Sequence, residues 1–233
     1  MQEKFAEALE LFRRNFLLFA ALSLTIWLPG NALASALRHV LAKDSLIPGF
    51  ASLWISAVFG PLYVGALLYA VLRRKQGEPV RYAEALRFGV SHWPWMFAAT
   101  LVAHIVIAAG FLALIIPGIY LSLRFAFVSE AVALEGCGVR EALRNSGLWT
   151  AGRKLRLLAA TLFFTGMYLA LYVVLSAPLE TLKLAENPIA LCALGCVLSV
   201  SHSFLYILVF LFYWEERGHV WAAPAAEAAG ETP

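Results

Sequence analysis

Residues 117–156 read PGIYLSLRFAFVSEAVALEGCGVREALRNSGLWTAGRKLR, and this stretch decides how the rest of the chain is interpreted. Pro117 and Gly118 interrupt a long apolar run, and such a pair is typical of a turn. An apolar segment that contains Arg124 and Glu130 follows the turn, and a basic amphipathic segment comes next. The stretch therefore predicts a membrane hairpin turn, a returning span and a helix that lies on the cytoplasmic face.

The composition points to an apolar solvent. Hydrophobic residues make up 61% of the 233 residues and charged residues only 14%, whereas soluble domains have about 45–50% apolar and about 25% charged residues. Apolar runs of about 20 residues, the length that crosses a hydrocarbon core of about 30 Å, recur six times. We therefore expect an all-α membrane protein with six transmembrane helices and little chain left for a separate catalytic module.

The six predicted spans cover most of the chain. They lie at about residues 16–37, 48–72, 94–116, 119–136, 157–175 and 189–213, within one membrane domain at 1–221. Pro29 either ends the first span or kinks it, and the sequence leaves both alternatives open. Residues 222–233 are rich in alanine, proline and glutamate, so we expect a disordered tail there.

The basic residues predict the orientation. Of the 18 Lys and Arg residues, Arg38, Lys43 and Lys183 fall on one side and Arg124 falls within a span; all the others fall on the opposite side. The positive-inside rule then places both termini in the cytoplasm and predicts a multi-pass protein of the cytoplasmic (inner) membrane. Because the basic clusters adjoin the span ends, the expected partner is the bilayer with its anionic head groups rather than nucleic acid. A protein partner or a homo-oligomer is left open.

Three segments show the spacing of amphipathic helices at the cytoplasmic interface, at residues 1–15, 80–93 and 139–149. Related strings occur in them at residues 6–9, 83–87 and 141–144, and further similar strings follow at 20–22, 98–101 and 159–162. Chance similarity of Ala- and Leu-rich strings is the alternative. We expect three parallel units, each made of an interfacial helix and a membrane hairpin.

One family resemblance is visible in the sequence. It rests on residues 115–120 (IIPGIY), on Arg124 with Phe125 and Phe127, on residues 141–146 (EALRNS) and on Leu148. These motifs resemble the multi-pass membrane domain attached to some bacterial glycerophosphoryl diester phosphodiesterases, which also occurs in stand-alone relatives. The resemblance covers about residues 93–156. It implies a membrane architecture but no hydrolase activity, because its motifs are structural and the 233 residues contain no phosphodiesterase barrel.

Arg124 is the most informative candidate for a site. A cation at the bilayer centre costs roughly 2.5–3.5 kcal/mol on insertion scales, so it is expected to face protein, water or a head group. One hypothesis is that Arg124 binds an anionic substrate or lipid inside the bundle. The alternative is a structural clamp on backbone carbonyls or on another span.

Three further residues are candidates for the same cavity. Glu130 lies six residues after Arg124, so the two do not share a helical face; it either titrates in proton coupling or lies near the inner interface. His104 and His202 fall near the middle of the third and sixth spans, where they either form a proton relay or a metal site, or bond to neighbouring helices.

The sequence contains no hydrolase triad, Walker loop, HExxH or dinucleotide fingerprint, so we expect neither an enzyme nor a cofactor. Cys192, Cys196 and His202 lie on one face of the sixth span, and we interpret that face as a close-packing surface rather than a metal site. Two functions follow from these observations. The protein transports or handles a small anionic molecule or lipid within the bundle, or it is a non-transporting scaffold that binds a partner or the bilayer surface.

Overall fold

The computed structural model of the chain describes residues 2–40, 47–152, 154–184 and 187–228, and within these residues every regular element is a helix. Lys43 and Asp44, which the sequence places in the first outer loop, lie outside the described residues. The helices are α1 Gln2–Arg14, α2 Phe16–Val40, α3 Ile47–Lys75, α4 Tyr82–Ala113, α5 Ile115–Arg124, α6 Val128–Glu135, α7 Val139–Trp149, α8 Lys154–Thr181 and α9 Pro188–Ala228.

Six segments are long and apolar enough to cross a membrane. They are Phe16–Val40, Gly49–Lys75, Tyr82–Ala113, Ile115–Glu135, Lys154–Thr181 and Pro188–Glu215. The chain is therefore an all-helical, multi-pass integral membrane protein, as the apolar runs predict. The last helix continues to Ala228 through part of the predicted tail. Residues 229–233 lie outside the described range, so the disordered tail stays a prediction.

Two prolines are accommodated inside helices. Pro29 lies within α2, which continues to Val40, so the first span does not end there. Pro94 lies within α4, so the predicted interfacial segment 80–93 and the third span form one helix. A proline inside a helix costs one hydrogen bond but need not end the helix when packing continues across it. In α4 the buried face runs through Ala85, Gly89 and Met96, on both sides of Pro94.

The hairpin between the third and fourth spans turns earlier than the sequence predicts. Leu114 is extended, with φ −168° and ψ 156°, and separates α4 from α5, so Pro117 lies in the first turn of α5 rather than in the loop. A proline in the first helical turn loses no intrahelical hydrogen bond. Gly118 has a packing role instead, because a Cβ there would lie 2.4 Å from the Phe111 ring.

Close helix contacts through glycine organise the first half of the bundle. A Cβ on Gly65 of α3 would lie 3.3 Å from the Gly89 Cα of α4, and a Cβ on Gly89 would lie 2.6 Å from the Leu62 carbonyl oxygen. Helices in lipid associate through such small residues, because no hydrophobic effect drives them together. Helices α3 and α9 supply many of the fully buried side chains, including Tyr63 and Tyr213.

Ion pairs join helix ends at one end of the bundle. The Lys4 ammonium lies 2.8 Å from the Glu215 carboxylate and connects α1 to α9, and Lys75 pairs with Glu7 to connect α3 to α1. Glu135 of α6 accepts hydrogen bonds from Arg217 and from Tyr213, each at 2.8 Å. The hydrogen bond to Glu135 also raises the pKa of Arg217. The ends of α3, α6 and α9 are thus held together with α1.

Replacing Gly89 with alanine is expected to lower the free energy of unfolding by about 1–3 kcal/mol, because the new methyl group overpacks the α3–α4 contact. Gly166→Ala is the matched control, since a Cβ there meets nothing within 4 Å. That change is expected to raise the free energy of unfolding by up to about 1 kcal/mol, because alanine favours a helix over glycine. Denaturant titration in mixed micelles, followed by circular dichroism, measures both; equal losses would contradict the close α3–α4 contact.

Candidate functional site

A turn interrupts the helix of the fourth span, and the candidate site lies beside this break. The sequence predicts one span at about 119–136, but residues 125–127 form a turn between α5 and α6. The Ser146 hydroxyl of α7 bridges this turn: it donates to the Arg124 carbonyl oxygen at 2.8 Å and accepts from the Phe127 N–H at 3.1 Å. One hydroxyl can do both, because it is a donor and an acceptor. Ser146 is fully buried, so α7 is anchored to the broken span.

The residue after Ser146 makes room for the Arg124 side chain. A Cβ on Gly147 would lie 2.9 Å from the Arg124 Nε atom, so the arginine stem crosses α7 at this glycine. The guanidinium carbon lies 6.0 Å from the centroid of the Phe125 ring. The Arg124 side chain is nevertheless exposed. Arg124 therefore lies on the surface at the junction of α5 and α7, whereas one of the two hypotheses from the sequence places its side chain inside the bundle.

A second cation, Lys154, lies beside Tyr120 of α5, the helix that ends at Arg124. The Lys154 ammonium at the start of α8 lies 4.0 Å from the centroid of the Tyr120 ring. Both Lys154 and Arg124 interact electrostatically with the Tyr120 hydroxyl group. Among the described residues, neither cation forms an ion pair with an acid. We call Arg124, Lys154 and Tyr120 the cationic site.

The surface around the cationic site is apolar. Leu148 and Leu155 expose 65% and 81% of their surface, and Ile119 and Tyr120 are also exposed. Cations that lie among exposed leucines suit a ligand with a negative group and apolar chains. The chemistry fits a phosphate: arginine presents a planar fork of donors, lysine a compact charge, and tyrosine a hydroxyl donor.

The other three predicted site residues lie elsewhere. His104 is exposed on α4, with its Nδ1 atom bonded to the Thr100 carbonyl oxygen at 2.7 Å. His202 is half-buried on α9, with ring centroids 5.3 Å from Tyr168 and 5.2 Å from Tyr206. Glu130 is buried in the first turn of α6. Thus Arg124 and His104 lie on exposed surfaces, whereas Glu130 and His202 lie inside the bundle.

Two of the predicted residues, His202 and Glu130, interact with the same tyrosine, Tyr206. Tyr206 contacts the His202 ring and also interacts electrostatically with Glu130. None of the four predicted residues lines the apolar groove of about 480 Å³ between α2 and α9. At that groove Asn31 donates hydrogen bonds to Cys196 at 3.7 Å and to Ser199 at 3.4 Å, so the small face of α9 packs against α2.

Sequence reasoning missed Lys154 and Tyr120 as members of the site. Lys154 belongs to a basic run that we interpreted through topology alone, and Tyr120 belongs to the quoted motif at residues 115–120. Their proximity arises because α7 folds back onto the break and brings the start of α8 to α5. No spacing in the sequence encodes that approach.

Comparison with known families assigns the chain to one of them. Residues 82–215, more than half of the chain, match the family described as Domain of unknown function (DUF7847). The chain belongs to the DUF7847 family. The match runs from the start of α4 to the end of the last span and so includes the cationic site, and the family description states no function. No curated protein and no solved structure matches the chain.

Ser146→Ala is expected to lower the free energy of unfolding by about 1–3 kcal/mol, because it leaves the buried Phe127 N–H at the break without its partner. Ser91→Ala is the control: the Ser91 hydroxyl is exposed and bonds to the Phe88 carbonyl oxygen within its own helix, so a change within about 0.5 kcal/mol is expected. The same denaturant titration compares the two variants. A loss at Ser146 no larger than that at Ser91 would show that the break does not need the hydroxyl.

Proposed function

We propose that this membrane protein binds and handles an anionic lipid, or a small anionic molecule with the same phosphate chemistry, at the cationic site. The observation that carries the proposal is the pair of cations, Arg124 and Lys154, which share Tyr120 and have no acidic partner among the described residues. Unpaired cations at a membrane surface attract anionic lipid by about 1 kcal/mol each. The proposal includes no catalytic step and no cofactor.

The apolar surroundings favour a lipid over a soluble anion. Leu148 and Leu155 are exposed beside the two cations, so acyl chains can cover them while a phosphate contacts Arg124 and Lys154. We also propose, from the sequence motifs alone, that residues 93–156 are related to the membrane domain attached to glycerophosphoryl diester phosphodiesterases. Those motifs include both Tyr120 and Arg124.

A scaffold without transport is the second candidate, and the separation of the predicted residues favours it. Arg124 and His104 are exposed on different helices, whereas His202 is half-buried and packs against Tyr168. Helix α8 also presents exposed apolar side chains, among them Leu162, Phe163 and Val174. These side chains can contact lipid or a partner protein, and a homo-oligomer is one form that such contact can take.

We also propose that the chain consists of three repeated units. Ala8, Ala85 and Ala142, which are equivalent in the repeated strings, are all fully buried. In the apolar helical segment that follows each of these alanines, buried residues recur with the same spacing of three and then four positions. They are Phe19, Leu22 and Ile26 in α2, Met96, Ala99 and Ala103 in α4, and Leu157, Ala160 and Phe164 in α8. Because this spacing is common to helices that bury one face, the support for the repeat comes mainly from the burial of the three equivalent alanines.

The lipid proposal predicts a selective loss of binding. Arg124→Gln and Lys154→Gln are each expected to weaken the binding of phosphatidylglycerol by about fivefold, or about 1 kcal/mol, and the double variant by about 25-fold. Arg87→Gln, which removes an exposed cation of α4, should leave binding unchanged. Native mass spectrometry with phosphatidylglycerol, phosphatidylcholine and glycerol phosphate measures each complex. Equal loss in the Arg87 control, or equal binding of phosphatidylcholine, would contradict a specific head-group site.

The physiological test is a deletion strain complemented with the wild-type chain or with Arg124→Ala. Untargeted lipidomics and metabolite uptake should change on deletion, recover with the wild type and fail to recover with the variant. An unchanged profile in the deletion strain, with the Arg124 variant correctly folded, would favour the scaffold.

We further propose that the protein lies in the cytoplasmic membrane with both termini and the ion-paired end of the bundle in the cytoplasm. The distribution of Lys and Arg supports this orientation. A reporter that is active only in the cytoplasm should be active when it is fused after Lys75 and inactive when it is fused after Lys183. Equal activity of the two fusions would overturn the orientation.

A further inference from the structure

A buried acid at the centre of the bundle has no role in the cationic site. Glu130 lies three residues after the break, in the first turn of α6, and exposes only 2% of its surface. Its Oε2 atom has no hydrogen-bond partner among the described residues. An ionised carboxylate without a partner is very costly in an apolar interior, whereas a neutral acid is far less so.

Among the described residues, no cation forms an ion pair with Glu130. Helices α3, α4 and α7 pack against α6, and most basic residues of these helices and of α9 are otherwise engaged or exposed. The exception is Arg74 of α3, which is half-buried and has an Nε atom without a hydrogen-bond partner among the described residues. Arg73, Lys75 and Arg217 pair with Glu78, Glu7 and Glu135, and Arg87, Arg140 and Arg144 are exposed. The acids on these helices, Glu84 and Glu141, are exposed too. Tyr206 of α9 is the group that interacts electrostatically with Glu130.

Hydroxyl groups and an imidazole on α3, α8 and α9 lie close to one another inside the bundle. The Tyr63 and Ser203 hydroxyls lie 2.5 Å apart, and the Tyr63 ring lies 5.9 Å from the Tyr206 ring. The Tyr206 ring in turn lies 5.2 Å from His202, which lies 5.3 Å from Tyr168 on α8. His202 is half-buried, so this series of groups leads from a sealed acid towards the surface.

We propose that Glu130 is a proton-binding site in the membrane core, and that it exchanges its proton with solvent by way of Tyr206 and His202. The site binds a proton and not a metal ion, because Glu130 is the only acid that is buried among the described residues. In each exchange the carboxyl group releases one proton towards Tyr206 and takes one back, so the charge of the site does not change overall. This proposal is independent of lipid binding at Arg124.

The test of the bound proton is infrared spectroscopy of the full chain reconstituted in lipid at neutral pH. Subtracting the spectrum of Glu130→Gln from that of the wild type should leave the carbonyl band of a protonated carboxylic acid. Glu180→Gln is the matched control, because Glu180 is exposed on α8 and should instead remove carboxylate bands. Loss of carboxylate bands in Glu130→Gln would overturn the proposal. If Glu130→Gln does not fold, Glu130→Asp keeps the acid and should shift the same carbonyl band.

The test of the route is the rate at which that carbonyl band shifts after transfer into deuterated water. Tyr206→Phe and His202→Phe are each expected to slow the shift by about 100-fold, since positioned proton donors and acceptors accelerate transfer by about 10²–10⁴. Tyr172→Phe, an exposed tyrosine of α8, should leave the rate unchanged. An unchanged rate in Tyr206→Phe would overturn the route, and a band that never shifts in the wild type would overturn exchange.

Discussion

The bridge from Ser146 to the break at residues 125–127 is the constraint on which the other features depend. Backbone groups that lack partners cannot remain in the apolar part of a membrane, where each costs several kcal/mol. The break in the fourth span creates such groups, and the Ser146 hydroxyl binds both Arg124 O and Phe127 N–H. Helix α7 must therefore return to the span. That return brings Lys154 to Tyr120 and allows α6 to begin just before Glu130.

Small residues provide the second constraint, since they set how closely the helices approach. Gly89 lies against α3, and Gly118 lies against Phe111 across the α4–α5 hairpin. Gly195 of α9 lies where a Cβ would be 2.9 Å from Asn31 of α2, which places the asparagine amide beside Ser199. Each glycine thus permits one interhelical contact, and such contacts replace the hydrophobic effect that would drive packing in water.

The sequence predicts the six spans because the length of an apolar run reports directly on bilayer thickness. It does not predict the continuity of α4 across Pro94, because that continuity follows from packing against α3. The turn at Leu114 and the break at residues 125–127 also follow from tertiary contacts, at Gly118 and Ser146. The candidate site can likewise be predicted only in part from the sequence. Arg124 is conspicuous as a charge in an apolar run, whereas Lys154 resembles any other cation at a span end until α7 brings it to Tyr120.

The proposed repeat explains why the buried polar groups meet where they do. In three parallel units, the outgoing helices α2, α4 and α8 bury one face at matching positions, and the returning segments α3, α6 and α9 supply Tyr63, Glu130 and Tyr206. Returning helices that pack against one another bring their polar residues to the centre, far from water. The Tyr63 and Ser203 hydroxyls form a hydrogen bond with each other there. Glu130 has no ion-pair partner among the described residues, so the least costly way to keep it buried is to keep it neutral, as the proposed proton site requires.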